Sequence, residues 1–331
     1  KRQELAVADS LNDEGVAAYR AARYDEAEPL FRRTLQIRED VLGPNHPNTA
    51  TSLNNLAALL EAQGRHEAAE PLLRSALAIR ETALGPDHPP TAASLLNLAA
   101  LLDAQGRYEA AEPLYRRALQ IREADLGPDH PRTATSVNNL AALLKAQGRL
   151  SEAETLFRRA LQIREEALGP DHPRMATSLN NLAALLKAQG RYEAAEPLYR
   201  RALAIKEAAL GAEHPSMATS LNNLALLLEA QGRYEAAEPL YRRALQIRED
   251  ALGPEHPSTA RSLNNLAALL KAQDRLGEAE PLHRRALAIK EAALGSEHPS
   301  TAISLNNLAL LLEAQGRYGE AEPLLRRALA I

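Results

Sequence analysis

The sequence predicts an all-α fold in which a short helical unit is repeated in series, and three observations predict it. A His-Pro pair recurs at His46, His88, His130, His172, His214, His256 and His298, each 42 residues after the last. A fixed period in the range of roughly 20–50 residues is the signature of stacked repeats. Within a period, Leu and Ala recur at helical spacing, as in Leu53, Leu56, Ala57 and Leu60. Of the 16 glycines, six follow this first stripe (Gly64, Gly106, Gly148, Gly190, Gly232, Gly316) and seven follow a second one (Gly43, Gly85, Gly127, Gly169, Gly211, Gly253, Gly295). That placement cuts each period into two helices rather than one.

In the second period the first helix, helix A, is expected over about Thr49–Gln63. His46 is its candidate N-cap, and Pro47 stands at the first helical position, where a missing N–H costs nothing. Gly64 suits the left-handed residue that ends a helix. Helix B is expected over about His66–Leu84, with Ala69, Leu72, Leu73, Ala76 and Leu77 apolar, and Gly85-Pro86 ends it. A proline falls near its start at Pro29, Pro71, Pro113, Pro197, Pro239, Pro281 and Pro323, with Thr155 in the fourth copy. Little hydrogen-bond ladder precedes that position, so helix B should run through it with a slight bend.

Eight helix pairs follow, over 5–46, 47–88, 89–130, 131–172, 173–214, 215–256, 257–298 and 299–331, expected as one array. The first pair is atypical: Asp13, Glu14 and Gly15 replace Asn-Leu-Ala, as suits an end unit with an uncovered face. The chain starts at Lys1 and stops at Ile331 inside an expected helix, which leads us to expect a fragment of a longer protein, with repeat ends open to end-to-end self-association.

Composition excludes several classes. The net charge of −4 gives no basic footprint for nucleic acid. The absence of cysteine removes disulfides, thiolate metal sites and a Cys nucleophile, and fits a cytoplasmic protein. Apolar runs such as 224–228 are too short to span a bilayer, so no membrane partner is expected.

Tyr108-x-x-Ala111-x-x-x-Tyr115-x-x-Ala118, preceded by Leu95-x-x-Leu98-Ala99, resembles the tetratricopeptide repeat (TPR). With NNLA, QGRYEAAEPLYRRAL and LGPDHP, the unit is similar to the 42-residue version found in kinesin light chains and many bacterial repeat proteins. The departures are Leu96 for Asn, Asp274 for Gly, and the first helix A. The resemblance implies a right-handed α-solenoid, a superhelix of eight helix-turn-helix units. It also implies that helix A lines a concave surface that binds peptide segments of partner proteins.

No catalytic or cofactor motif is present: there is no GxxxxGK[ST], GxGxxG after a strand, HExxH or Ser elbow. The histidine ladder invites a metal, but repeats stack about 10 Å apart and zinc ligands must lie about 2 Å from one centre. No metal or cofactor is expected, and the histidines read as helix-start and loop residues. His66 and His283 occupy tyrosine positions and read as packing residues. Glu70–Arg74 and Glu112–Arg116 have the i, i+4 spacing of an exposed ion-paired face.

The expected groove is a helix A stripe at i, i+3, i+7, i+10, such as Thr135, Asn138, Ala142 and Lys145. Its asparagine column is Asn12, Asn54, Asn138, Asn180, Asn222, Asn264 and Asn306. Amides there could pair with an extended peptide backbone or bond to neighbouring helices. The next column, beginning at Asn55, is expected at the seam between repeats. The last stripe position carries Glu61, Asp103, Lys145, Lys187, Glu229, Lys271 and Glu313, and the first carries Arg261. Leu96, Leu226 and Leu310 add apolar spots. A partner segment is therefore expected to place acidic residues over Lys145 and Lys187. The leading reading is a scaffold that binds a protein or peptide ligand. The alternative is a regulatory arm of a larger protein with an ATPase or protease effector elsewhere. An enzyme in its own right is not expected.

Overall fold

In the computed structural model, which describes residues 1–331, the chain forms sixteen α-helices and no strand. By packing it divides into two compact units, Lys1–Pro170 and Asp171–Ile331. The first unit holds α1 (Arg2–Arg20), α2 (Tyr24–Leu42), α3 (Pro47–Ala62), α4 (His66–Leu84), α5 (Pro89–Ala104), α6 (Tyr108–Leu126), α7 (Pro131–Ala146) and α8 (Leu150–Leu168). The second holds α9 (Pro173–Ala188), α10 (Tyr192–Leu210), α11 (Pro215–Ala230), α12 (Tyr234–Leu252), α13 (Pro257–Ala272), α14 (Leu276–Leu294), α15 (Pro299–Ala314) and α16 (Tyr318–Ala330). Within each unit every helix packs on its sequence neighbours, and consecutive helices form hairpins stacked in series, as in a helical-repeat solenoid.

Local chemistry sets the boundaries. The His46 side chain caps α3: its Nδ1 accepts from the Asn48 N–H at 3.1 Å, and Pro47 takes the first helical position. His88 makes no such bond, because the residue that would donate is Pro90. Thr49 Oγ1 donates to the Gly43 carbonyl at 2.9 Å, and Thr91, Thr133, Thr259 and Thr301 repeat the bond. This bond ties each loop to the helix it feeds. The turn after helix A needs a left-handed residue, with φ +76° at Gly64. Asp274 at φ 62° and Ala22 at φ 58° hold the same conformation without glycine. Helix α4 continues unbroken through Pro71, its sixth residue.

The core is a run of small residues interleaved with large ones. Ala57, Ala69 and Ala76 are fully buried, as are Ala99, Ala111 and Ala118 one period later. Their size lets the two helices of a pair approach, while Leu56, Leu59 and Leu60 fill the layer between pairs. Each buried Leu contributes about 1.5–3 kcal/mol. In the first pair Gly15 replaces that first alanine because Phe31 fills its space: a Cβ there would lie 2.8 Å from the Phe31 ring. Glu14 is exposed where Leu56 is buried, and Ser10 Oγ donates to its carboxylate at 3.1 Å. At the other end Leu329 is 88% exposed, whereas Leu287 one period earlier is 8% exposed. No helix is long and apolar enough to cross a membrane.

Candidate functional site

The open face of the A helices follows from which side of each helix the core consumes. Along α7, Thr135 and Ala142 are exposed and Asn139 half-buried, with Ala146 exposed beyond them. These positions are i, i+4, i+7 and i+11. The expected stripe ran i, i+3, i+7, i+10, which selects Asn138 instead of Asn139. The structure corrects that register. Asn54, Asn138, Asn180, Asn222 and Asn264 are all buried, 3–9% exposed, and only Asn306 is open. The reason is angular: Asn54 lies four residues after Ala50 and three before Ala57, both fully buried, so it shares their side of the helix. Leu96 occupies the same column and is likewise buried, so it adds no apolar spot to the face, whereas Leu226 is half-buried and Leu310 is 41% exposed.

The two asparagine columns interlock. Asn55 donates to Asn12 Oδ1 at 2.8 Å, and Asn265 to Asn222 Oδ1 at 3.3 Å. Asn264 Nδ2 donates to Ser304 Oγ at 3.1 Å. The Oδ1 atoms of Asn54, Asn138 and Asn180 are buried without a hydrogen-bond partner.

The charged column keeps one edge in reach of solvent. In the first unit Glu61, Asp103 and Lys145 are half-buried, and none of their side chains has a hydrogen bond or ion pair. Burial moves each towards its neutral form, raising the pKa of Glu61 and Asp103 and lowering that of Lys145. In the second unit Lys187, Glu229, Lys271 and Glu313 are half-buried too, and Arg261 is exposed. Glu229 accepts from the Tyr241 hydroxyl at 2.7 Å. Tyr115, Tyr199 and Tyr241 are 4%, 2% and 0% exposed, filling the space beneath this column.

His283 stands at the tyrosine position of α14 and is 2% exposed, as a packing residue should be. Its shorter ring leaves a cavity of about 370 Å³ lined by Ala268, Lys271, Ala272, His283, Asn307 and Leu310. Asn264 spends its amide N–H on Ser304, so its Oδ1, 2.8 Å from His283 Nδ1, must accept. The imidazole therefore donates from Nδ1. Burial and the Lys271 charge push its pKa down to about 4.

Two further networks go beyond the sequence expectations, the first by adding an inter-repeat arginine to the expected i, i+4 pairs. Glu70 accepts from Arg74 at 2.7 Å and from Arg107, 37 residues on, at 2.6 Å. Glu28, Glu112, Glu196, Glu238 and Glu280 repeat this double pairing. All six carboxyls are held below the usual range: arginine hydrogen bonds dominate at Glu70, Glu238 and Glu280, the last to about 2, and at Glu28, Glu112 and Glu196 burial opposes the arginines without outweighing them. Near the end of helix B, Arg38, Arg80, Arg122 and Arg248 reach the next A helix through Ser52, Ser94, Ser136 and Ser262. Only Arg38 among these meets a carboxylate, Asp9 at 2.8 Å. The signal for this second network was a basic residue at one place in every QIRE-like segment.

A tetratricopeptide repeat model matches residues 6–82, 62–124, 104–166, 132–208, 175–250, 216–292 and 264–331. No curated protein sequence matches the chain. Among solved structures it is similar to a Podosopora anserina protein described as a kinesin light chain with nearly identical TPR-like repeats. The two share 32% identity over 61% of this chain and 95% of that one, with a TM-score of 0.53. It is also similar to BtubC (BKLC) from P. vanneervenii, at 26% identity over 67% of this chain and 90% of that one, with a TM-score of 0.58.

Proposed function

This chain belongs to the tetratricopeptide repeat family, whose members are in general non-catalytic scaffolds for protein–protein interaction, and we propose that it holds a segment of a partner protein against the A-helix face. The observation that carries this reading is the set of half-buried charges without partners: Glu61, Asp103 and Lys145 in the first unit and Lys271 in the second. At Glu61, Asp103 and Lys145 burial disfavours the ionised form, and a partner charge of opposite sign would favour it. The exposed Ala58, Ala100, Ala142 and Ala268 keep the face low, so a peptide backbone can approach the helices. An acidic side chain of the partner meets Lys145, and another meets Lys187.

The asparagine contribution changes with the register. The buried Asn54, Asn138, Asn180, Asn222 and Asn264 hold the stack, while Asn55, Asn139 and their equivalents border the open stripe and meet the partner. Asn306, Arg261, Lys271 and Leu226 remain candidate contacts of the second unit.

Photo-crosslinking tests this. A crosslinking residue at Ala142 or Ala268 should capture the partner, and one at Arg116 or Arg242 on the ion-paired edge should not. Lys145→Glu and Lys187→Glu should each weaken capture. Capture from the ion-paired edge alone, or full capture by both charge reversals, would remove the proposal.

A further inference from the structure

The outer surface of the B helices carries one repeated bond that the second period lacks. Arg117 pairs with Glu81 at 2.6 Å and donates its other terminal nitrogen to the Pro86 carbonyl at 2.9 Å. Arg285 does the same with Glu249 at 2.6 Å and the Pro254 carbonyl at 3.4 Å. Arg243 reaches Glu207 at 3.2 Å and the Ala212 carbonyl at 3.4 Å. Arg159 and Arg327 pair with Glu123 and Glu291. Period after period therefore holds a guanidinium against the same carboxylate, and in those of Arg117, Arg243 and Arg285 also against the same loop carbonyl.

One period before Arg117 the residue is Ser75. The acceptors remain: Glu39 stands where Glu81 does, and Pro44 where Pro86 does. Unlike Glu81, Glu123, Glu207, Glu249 and Glu291, the Glu39 carboxylate has no ion pair or side-chain hydrogen bond. Between α2 and α4 the missing side chain leaves a cavity of about 430 Å³, lined by Glu39, Pro44, Leu53, Ser75, Ile79 and Thr82 among others. Its chemistry matches an arginine side chain along its length. Leu53 and Ile79, 6% and 9% exposed, offer an apolar floor for the methylenes. At the end wait an anion and a carbonyl, the pair that the forked guanidinium satisfies in the sister periods.

We propose that this cavity is a docking site for an arginine side chain of a partner protein, which completes in trans the ion pair that the other periods make within the chain. The site lies on the B-helix surface and does not depend on the A-helix face being occupied. A lysine fits it poorly, since one ammonium cannot present two parallel donors to a carboxylate and a carbonyl set apart.

N-acetyl-L-arginine amide is the probe, titrated into the whole chain and followed by backbone amide shifts. Saturable shifts confined to the surroundings of Gly43, Leu53 and Ser75 are expected. N-acetyl-L-lysine amide should bind at least about tenfold more weakly. Glu39→Gln should weaken the arginine probe by about tenfold or more, the loss expected for a charge-assisted hydrogen bond, and should leave the fold intact because Glu39 has no partner to lose. Ser75→Arg should abolish binding and raise the unfolding midpoint by filling the gap as the sister periods do. Absent or non-saturable shifts, equal binding of the lysine probe, undiminished binding to either variant, or a midpoint that fails to rise in Ser75→Arg would each overturn the proposal.

Discussion

Glu70 and Glu61 lie nine residues apart and live under opposite electrostatics. Glu70, at the turn edge, accepts from Arg74 and Arg107 at 2.7 and 2.6 Å, and its pKa is lowered. Glu61, on the A-helix face, is half-buried with no partner, and burial raises its pKa. The edge saturates its carboxylates with guanidinium groups from its own and the next repeat, so its charge locks repeats together. On the A-helix face Glu61, Asp103 and Lys145 leave their charge unspent, which costs a little stability and keeps those charges free for a partner. Surface ion pairs are individually weak, but here each joins neighbouring repeats, where a repeat array draws its stability.

The largest expected effect comes from His283, the one buried imidazole on the A-helix side. Its pKa is about 4 in the fold against about 6.5 when unfolded. As pH falls from 6.5 to 4 the unfolded chain gains a proton that the native state refuses, so stability falls, by on the order of 3 kcal/mol. Denaturant titrations across that range should show this loss in the wild type and not in His283→Tyr, which restores the residue of the sister repeats. Equal slopes would show that His283 is not the source.

Tyr241→Phe comes next. It strips Glu229 of its hydroxyl donor and makes that carboxylate resemble Glu61, at a cost of about 1 kcal/mol measured by equilibrium unfolding. No loss would mean that the two carboxylates were equivalent all along.

Glu70→Gln should cost about 0.5–1 kcal/mol at neutral pH. Because the folded pKa of Glu70 is depressed, its contribution is full above the unfolded value of about 4.3 and is lost as pH falls through the folded one. The variant should therefore differ from wild type at pH 7 and converge with it at the acid end of the titration.

The smallest effect is Glu61→Gln, within about 0.5 kcal/mol and in the stabilising direction at neutral pH. The raised folded pKa reverses the acid trend: wild type gains on the variant as pH falls through it. A clear destabilisation by Glu61→Gln would show that the charges of the A-helix face hold the fold together just like those of the turn edge.

Much of this was legible beforehand wherever the cause lies within a few residues. The two helices per period, the His46 cap, the Gly64 turn and the uninterrupted helix through Pro71 all rest on contacts between i and i+4 or on one residue's backbone freedom. The position of His283 in the core was readable because its sister residues are Tyr115, Tyr199, Tyr241 and other large apolar side chains such as Phe31 and Phe157. The double pairing of Glu70 was half readable, since Arg74 is four residues away and Arg107 is not. The asparagine columns were misplaced by a single residue, because Asn54 and Asn55 differ by about 100° around the helix and the pattern of leucines is compatible with either as the open one.

By itself, then, the amino-acid order determined the period, the helices, their caps and the small-and-large alternation of the core, all governed by neighbours along the chain. Only the packed stack decided which asparagine closes into the seam, which glutamate meets an arginine 37 residues away and which, like Glu39, is left waiting for one. Those outcomes depend on how one helix pair lies against the next, and the rotation of a helix about its own axis is fixed by what it packs on.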